Sequence, residues 1–172
     1  MGTGIVIADT SVLVNFLRVD RMDLIGAHPN PFIVTDHVAE EITSSYPQQQ
    51  ACFQAALTVG YVAQHRIDDP AELDMFARLS AKGRLGAGER SAISVALNRG
   101  YSLAMDDSRA IRRAVQEAGM IGTALTIIRT QDLMVQLIQA GLITVGAADV
   151  ILNDWSKNHR FKLKIGSFSE VC

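Results

Sequence analysis

Short apolar segments that alternate with helical segments are the feature of this sequence that most restricts its fold. The segment at residues 5–8 is β-branched and is followed by Asp9, and the segment at residues 32–35 leads into a helix that carries Glu41. A third segment, residues 101–105, is followed by two aspartates. Strands that alternate with helices favour a parallel sheet covered on both faces. The sequence therefore predicts a three-layer α/β/α sandwich.

The remaining segments extend this alternation along the chain. Helices are predicted at residues 48–57, 71–79, 89–99 and 109–118, the last ending at Gly119, and further short strands at residues 61–64 and 120–123. The chain after residue 124 is predicted to be helical up to a basic tail. We therefore expect a central, mainly parallel sheet of about five strands in a domain of residues 1–143. A helical C-terminal extension and basic tail would occupy residues 144–172.

Composition and charge exclude several classes of protein. The chain has 172 residues, of which 48% are hydrophobic, which suits one globular domain with a largely aliphatic core. No stretch approaches the roughly 18 apolar residues of a membrane span, and the N-terminal segment lacks the basic start of a signal peptide, so the predicted location is the cytoplasm. A net charge of −2 argues against a protein that coats nucleic acid by bulk electrostatics.

Acidic residues follow the predicted strands or begin the helices after them. A single aspartate at such a place is often a turn former or a helix cap. Four acids in corresponding places, without matching cations, would repel one another unless a metal ion bound among them. Their oxygen ligands suit Mg²⁺ or Mn²⁺. The candidate acids are Asp9, Glu41, Glu89 and Asp107.

These motifs resemble the PIN-domain family of nucleases over residues 5–143. The matching segments read IADTS at 7–11, VAEEI at 38–42, ERSAI at 89–93 and LAMDD at 103–107. In the family, the first strand ends in an Asp followed by Thr or Ser, and three further acids occupy the other segments. The resemblance leaves two positions open, because Glu40 is an alternative to Glu41 and Asp106 is an alternative to Asp107. Asp107 is preferred, since it lies one helix and one strand beyond Glu89.

The resemblance implies a metal-dependent endoribonuclease that uses Mg²⁺ or Mn²⁺. Asp9, Glu89 and Asp107 would be metal ligands, and Glu41 would complete the catalytic set directly or through a bound water. Water would hydrolyse RNA and leave a 5′ phosphate and a 3′ hydroxyl. Family members are often VapC-type toxins, so an antitoxin protein is an expected partner and a homodimer is left open. The alternative is a catalytically silent PIN-like module that binds RNA or protein.

Substrate contacts are assigned to polar and basic residues near the acids. The candidates are Thr10, Ser11, Asn15, Arg109 and Arg112. Asn15 follows Ser11 by one helical turn, and the two arginines fall at helical spacing after Asp107. A second basic run in the tail could also contact RNA, although a solvated surface is the favoured interpretation. That run contains Lys157, His159, Arg160, Lys162 and Lys164.

Overall fold

The computed structural model describes residues 4–81 and 83–172. Residues 1–3 and residue 82 of the predicted domain are therefore outside the described part of the chain. Its strands are β1 (Val6–Ala8), β2 (Phe32–Thr35), β3 (Ala63–His65), β4 (Ser102–Ala104) and β5 (Ile127–Ile128). Its helices are α1 (Thr10–Arg18), α2 (Met22–Ala27), α3 (Asp36–Ser45), α4 (Gln50–Val59), α5 (Pro70–Ser80), α6 (Ala87–Arg99), α7 (Ser108–Ile121), α8 (Thr130–Gln139) and α9 (Val145–Asn158). Short 3₁₀ turns occupy Pro47–Gln49 and Phe168–Glu170.

The five strands form one sheet in the order β3-β2-β1-β4-β5, and every neighbouring pair is parallel. Val6 in the central strand lies opposite Phe32 on one side and Ser102 on the other. Each crossover between parallel strands requires a connection that returns along the sheet, which the helices provide. The predicted parallel sheet of about five strands is therefore confirmed.

Alternating side chains divide the interior into two hydrophobic cores. Ile7 and Leu103 contribute to the core that α5, α6 and α7 cover, whereas Ala8 and Ala104 contribute to the core beneath the other six helices. Successive residues of a strand point to opposite faces of the sheet, so one strand supplies both cores. The result is the three-layer α/β/α sandwich that the sequence predicts.

The strand order places a topological switch point between β1 and β4. The chain moves outward from β1 to β3, and then returns to add β4 on the opposite side of β1. In open parallel sheets a crevice opens at the carboxyl ends of the two strands that flank such a point. Asp9 follows β1 at this edge, and its N–H donates to the carbonyl of Ala104 (2.9 Å). Acids that follow β1 and β4 therefore flank one crevice.

Helix α9 packs into the core beside α1. Trp155 is fully buried, its indole N–H donates to the carbonyl of Asn15 (2.7 Å), and its ring contacts the rings of Phe16 and Phe161 edge to face. The C-terminal residues thus share a core with the first helix of the sheet domain. Among the described residues, no helix is both long enough and apolar enough to cross a bilayer.

Two local predictions are wrong. Residues 120–121 form the last turn of α7 and not a strand, because the helix continues through Gly119 and ends at Gly122, whose φ of 70° forms a left-handed cap. The strand that follows β4 is instead β5 at Ile127–Ile128, inside the stretch after residue 124 that was predicted to be helical. Helix α2 was not predicted from the sequence.

Candidate functional site

Ser11 links the two strand ends that flank the crevice. Its backbone N–H (3.2 Å) and its hydroxyl (2.7 Å) both donate to Oδ2 of Asp9, which caps the N-terminus of α1. The same hydroxyl oxygen accepts a hydrogen bond from the N–H of Asp106 (3.0 Å), which follows β4. One side chain therefore fixes the Asp9 carboxylate and joins it to the neighbouring strand.

The Asp9 carboxylate is buried without full compensation. Asp9 is only 2% exposed. Among the described residues, its Oδ1 has no hydrogen-bond partner. Burial raises the pKa of Asp9 from 3.8 to about 6, the hydrogen bonds from Ser11 oppose that shift, and the charges of Glu89 and Glu41 add to it. The crevice thus contains a buried oxygen that would be stabilised by a cation.

Glu41 reaches the crevice because a glycine faces it. The Thr10 hydroxyl donates to Oε2 of Glu41 (3.0 Å), and a Cβ atom at Gly88 would lie 2.3 Å from the same oxygen. The carboxylate therefore occupies the space that a side chain at position 88 would fill. Glu40, the alternative acid, is exposed on α3, the helix that also carries Glu41. The structure thus brings Glu41 next to the first helix.

A buried hydroxyl pair joins the two helices that carry Glu41 and Glu89. Thr35, which caps α3, shares a hydrogen bond of 2.6 Å with Ser91 of α6. The Ser91 hydroxyl also lies 2.9 Å from the carbonyl of Gly88. These contacts hold the start of α6 against α3.

Glu89 and Asp107 occupy the starts of α6 and α7. Oε2 of Glu89 accepts from the N–H of Gly86 (2.9 Å), and Oδ1 of Asp107 accepts from the N–H of Ala110 (2.8 Å). Burial raises the pKa of Glu89; the Gly86 bond and Arg109 lower it, whereas the charges of Asp107 and Glu41 raise it further. Glu89 is therefore electrostatically coupled to acids on both sides.

Asp106 is committed to contacts inside the protein. Its Oδ1 accepts from the N–H of Thr130 (2.9 Å), and its Oδ2 accepts from the Thr130 hydroxyl and from the amide of Asn15 (3.1 Å). Thr130 is fully buried and was missed from the sequence. The sequence feature that could have located Thr130 is a short strand, β5, followed by the start of α8. That signal was obscured when residues 120–123 were interpreted as the strand.

The predicted substrate contacts divide into two groups. Thr10 and Asn15 are 5% and 3% exposed, and their side chains, like that of Ser11, bond to the acids. Arg109 and Arg112 are exposed on α7. The structure therefore leaves the two arginines accessible to a ligand, whereas the three smaller residues hold carboxylates.

The donor set fits a hard divalent cation that keeps much of its water. Within residues 4–81 and 83–172, no three potential ligand side chains already converge on one point. Mg²⁺ is commonly held by one or two carboxylates, several waters and a substrate phosphate, so it does not require such a cage. The unpartnered Oδ1 of Asp9 and the coupled acids Glu41 and Glu89 supply suitable oxygens.

Comparison with known proteins identifies relatives of this fold. A family model described as a PIN domain matches residues 5–170. A solved PilT N-terminus domain protein from the hyperthermophilic archaeon Sulfolobus solfataricus P2 superposes with a TM-score of 0.51, covering 81% of this chain and 94% of that chain at 18% identity. That likeness shows a shared fold. Comparison with curated protein sequences gave no significant match.

Replacing Asp9 by Asn is expected to change how stability depends on pH. The folded protein retains the Asp9 proton up to about pH 6, whereas the unfolded chain releases it near 3.8, so the free energy of unfolding falls as pH rises through that window. D9N removes this loss. Urea denaturation in EDTA should show D9N gaining up to about 3 kcal/mol relative to wild type between pH 4 and pH 7.5. The exposed control D74N should follow the wild-type curve, and parallel curves for D9N would contradict the prediction.

A methyl group at position 88 is expected to displace Glu41 without unfolding the protein. The severe clash in G88A falls on the end of the flexible Glu41 side chain, which can rotate away and lose its bond to Thr10, while Cγ2 of buried Val38, at 3.3 Å, needs to shift by only a few tenths of an ångström. Thermal unfolding should then change by only a few degrees, while the rise in melting temperature on adding Mn²⁺ should shrink. The control is G119A, since a Cβ at Gly119 meets nothing within 4 Å. A full Mn²⁺ response in G88A would exclude Glu41 from the site.

Proposed function

The chain belongs to the PIN-domain family, and from that premise we propose that it is a metal-dependent ribonuclease that hydrolyses RNA phosphodiester bonds. The observation that carries the proposal is the buried Asp9 carboxylate at the switch point, with an unpartnered oxygen and two acids coupled to it. A fold that only needed to be stable would gain from replacing this carboxylate by a neutral group. Its presence favours a site that binds a cation.

The residues around the crevice hold the carboxylates in fixed positions. Ser11 orients Asp9 and leaves its Oδ1 free, Thr10 orients Glu41, and the Gly86 N–H orients Glu89. Short bonds to rigid helix starts restrict these side chains to few rotamers, which favours preorganisation. We propose Asp9, Glu89 and Asp107 as ligands for Mg²⁺ or Mn²⁺, with Glu41 completing the set.

Hydrolysis needs no nucleophilic side chain at this site. A divalent cation, when bound, supplies Lewis acidity that lowers the pKa of water and offsets charge on the phosphate. Water adds its oxygen to phosphorus as the bond to the 3′ oxygen breaks, and the departing oxygen takes a proton. The products expected are therefore a 5′ phosphate and a 3′ hydroxyl. Arg109, which interacts electrostatically with Glu89, and Arg112 are both exposed on α7 and would contact phosphates of the substrate.

We propose different roles for the two aspartates after β4. Asp107 interacts electrostatically with Glu89. Its Oδ1 accepts the hydrogen bond that caps α7, so its other oxygen is available to the site. Asp106 receives three hydrogen bonds from Asn15 and Thr130 and therefore positions α8 against the crevice. A toxin role with an antitoxin partner is a further proposal, which growth arrest on expression, abolished by D9N, would support.

A nuclease assay tests the central proposal. Purified protein should cleave single-stranded RNA with Mg²⁺ or Mn²⁺ and should lose that activity in EDTA. D9N should lose at least about a hundredfold in rate because it removes a charged ligand, while D74N cleaves like wild type. RNA binding without cleavage by well-folded wild type would favour the silent binding module. Cleavage in EDTA, or by D9N at the wild-type rate, would show that the metal mechanism is wrong.

Neutral variants of the adjacent aspartates should separate their roles. Asn is as good an N-cap as Asp, so D107N should keep the stability of α7 while its activity falls sharply. In D106N, an amide replaces one oxygen that accepts from Thr130 or Asn15, so the variant should lose about 1–3 kcal/mol of unfolding free energy. Urea denaturation and the RNA assay measure both effects. A stable, inactive D106N together with an active D107N would reverse the assignment.

A further inference from the structure

A groove of about 410 Å³ extends from Asp106 to the C-terminal segment. Its lining includes Arg129, Phe161, Lys162 and Lys164. It begins at a residue that follows β4 and hydrogen-bonds to Asn15 of the crevice wall. The groove therefore begins one residue before Asp107 of the proposed active site.

Alternate burial fixes the lysines of this segment. Phe161 and Leu163 are partly buried against the core, and the Phe161 ring contacts Trp155 at a centroid distance of 5.3 Å. Lys162, which lies between these two residues, and Lys164, which follows Leu163, are exposed. Packing of the apolar neighbours thus presents two cations in a row along the groove.

Arg129 connects this row to the site. Its guanidinium donates to the Ser108 hydroxyl (3.1 Å) and lies 3.4 Å from the carbonyl of Asp106, so it is held over the end of β4. The guanidinium donates both bonds to neutral oxygens. Three cations therefore line one path that leads away from the acidic crevice.

Both acids that line the groove accept hydrogen bonds from neighbouring residues. Asp106 accepts from Thr130 and Asn15, and Oδ2 of Asp132 accepts from the N–H of Arg129. Among the described residues, neither Lys162 nor Lys164 takes part in an ion pair. The lysines therefore remain available to an anionic ligand.

The other basic residues of the tail do not share this groove. His159 and Arg160 line a separate cavity with Arg18, at the C-terminal end of α1. Asp9 caps the opposite end of that helix, which is about 13 Å long. The tail that appeared as one basic run in the sequence is thus divided between two places in the structure.

We propose that the Arg129–Lys162–Lys164 groove binds the sugar-phosphate backbone of a single-stranded RNA as it leaves the active site. The inference rests on the proposed function, because the occupant is taken to be the substrate. Single-strand sites combine a cationic track along the backbone with aromatic surface, which Phe161 supplies here. Phosphate contacts of this kind carry no sequence information, so the groove would strengthen binding to all sequences alike.

Binding in EDTA, where no cleavage is expected, tests the groove directly. The probe is a fluorescein-labelled single-stranded RNA of about 12 nucleotides, followed by anisotropy. K162Q/K164Q should raise Kd about tenfold and reduce the salt dependence of log K by about 1.4, the contribution of two single-strand phosphates. The matched control K157Q/R160Q removes the same charge from the same tail and should bind like wild type.

Three outcomes would overturn the proposal that the groove binds RNA. Equal weakening by both double variants would indicate bulk electrostatics, and unchanged RNA binding by K162Q/K164Q would exclude a phosphate contact. A polyglutamate peptide that binds wild type but not K162Q/K164Q, with RNA affinity unchanged, would assign the groove to an acidic protein segment.

A small substrate separates this inference from the proposed function. Bis(p-nitrophenyl) phosphate is too short to span the crevice and the groove, so K162Q/K164Q should hydrolyse it with Mn²⁺ at the wild-type rate while cleaving RNA more slowly at low RNA concentration. A lower rate of K162Q/K164Q on RNA alone supports RNA binding in the groove. An equal loss of rate on both substrates overturns that proposal. If wild type cleaves neither substrate, the nuclease proposal fails, while the binding measurement in EDTA still decides whether the groove holds RNA.

Discussion

The desolvated carboxylate of Asp9 is the constraint on which the arrangement of the site depends. Burial and two neighbouring acids raise its pKa to about 6, which corresponds to about 3 kcal/mol of lost stability when it ionises. A domain of this size has a net stability of about 5–15 kcal/mol, so that loss is a substantial fraction. That value already includes the opposing effect of the two hydrogen bonds from Ser11. A bound cation would remove most of that loss.

Helix termini offset part of the same charge. Asp9 and Asp107 cap α1 and α7, and Glu89 lies in the first turn of α6. The N-terminus of a helix carries about half a positive charge and several unpaired N–H groups. Three helices thus direct partial positive charge toward the crevice. The parallel topology accounts for α1 and α7, because β1 and β4 are each followed by a helix start at the same edge of the sheet, whereas α6 follows α5.

The sequence predicted those parts of the site that depend on neighbours along the chain. Asp9 and Asp107 follow apolar strand segments, and the residues just after them begin helices, so local pattern was sufficient to place both at the carboxyl edge of the sheet. The contact between Glu41 and Gly88 and the bond between Thr130 and Asp106 join residues far apart in the chain. The end of α7 was misplaced because Gly119 and Gly122 are alike in sequence, and only the backbone distinguishes the one with φ of 70°.

The C-terminal segment shows why charge in a sequence is a weak guide to function until the apolar residues beside it are placed. Phe161 and Leu163 pack against the core and thereby decide which way Lys162 and Lys164 point. On the proposed function, the carboxylates of the site would repel a substrate phosphate, and a net charge of −2 supplies no general attraction to offset that repulsion. Cations must therefore be concentrated near the acids without pairing with them. Hydrophobic burial of alternate residues achieves this, because it separates the lysines from the carboxylates while keeping both at one edge of the sheet.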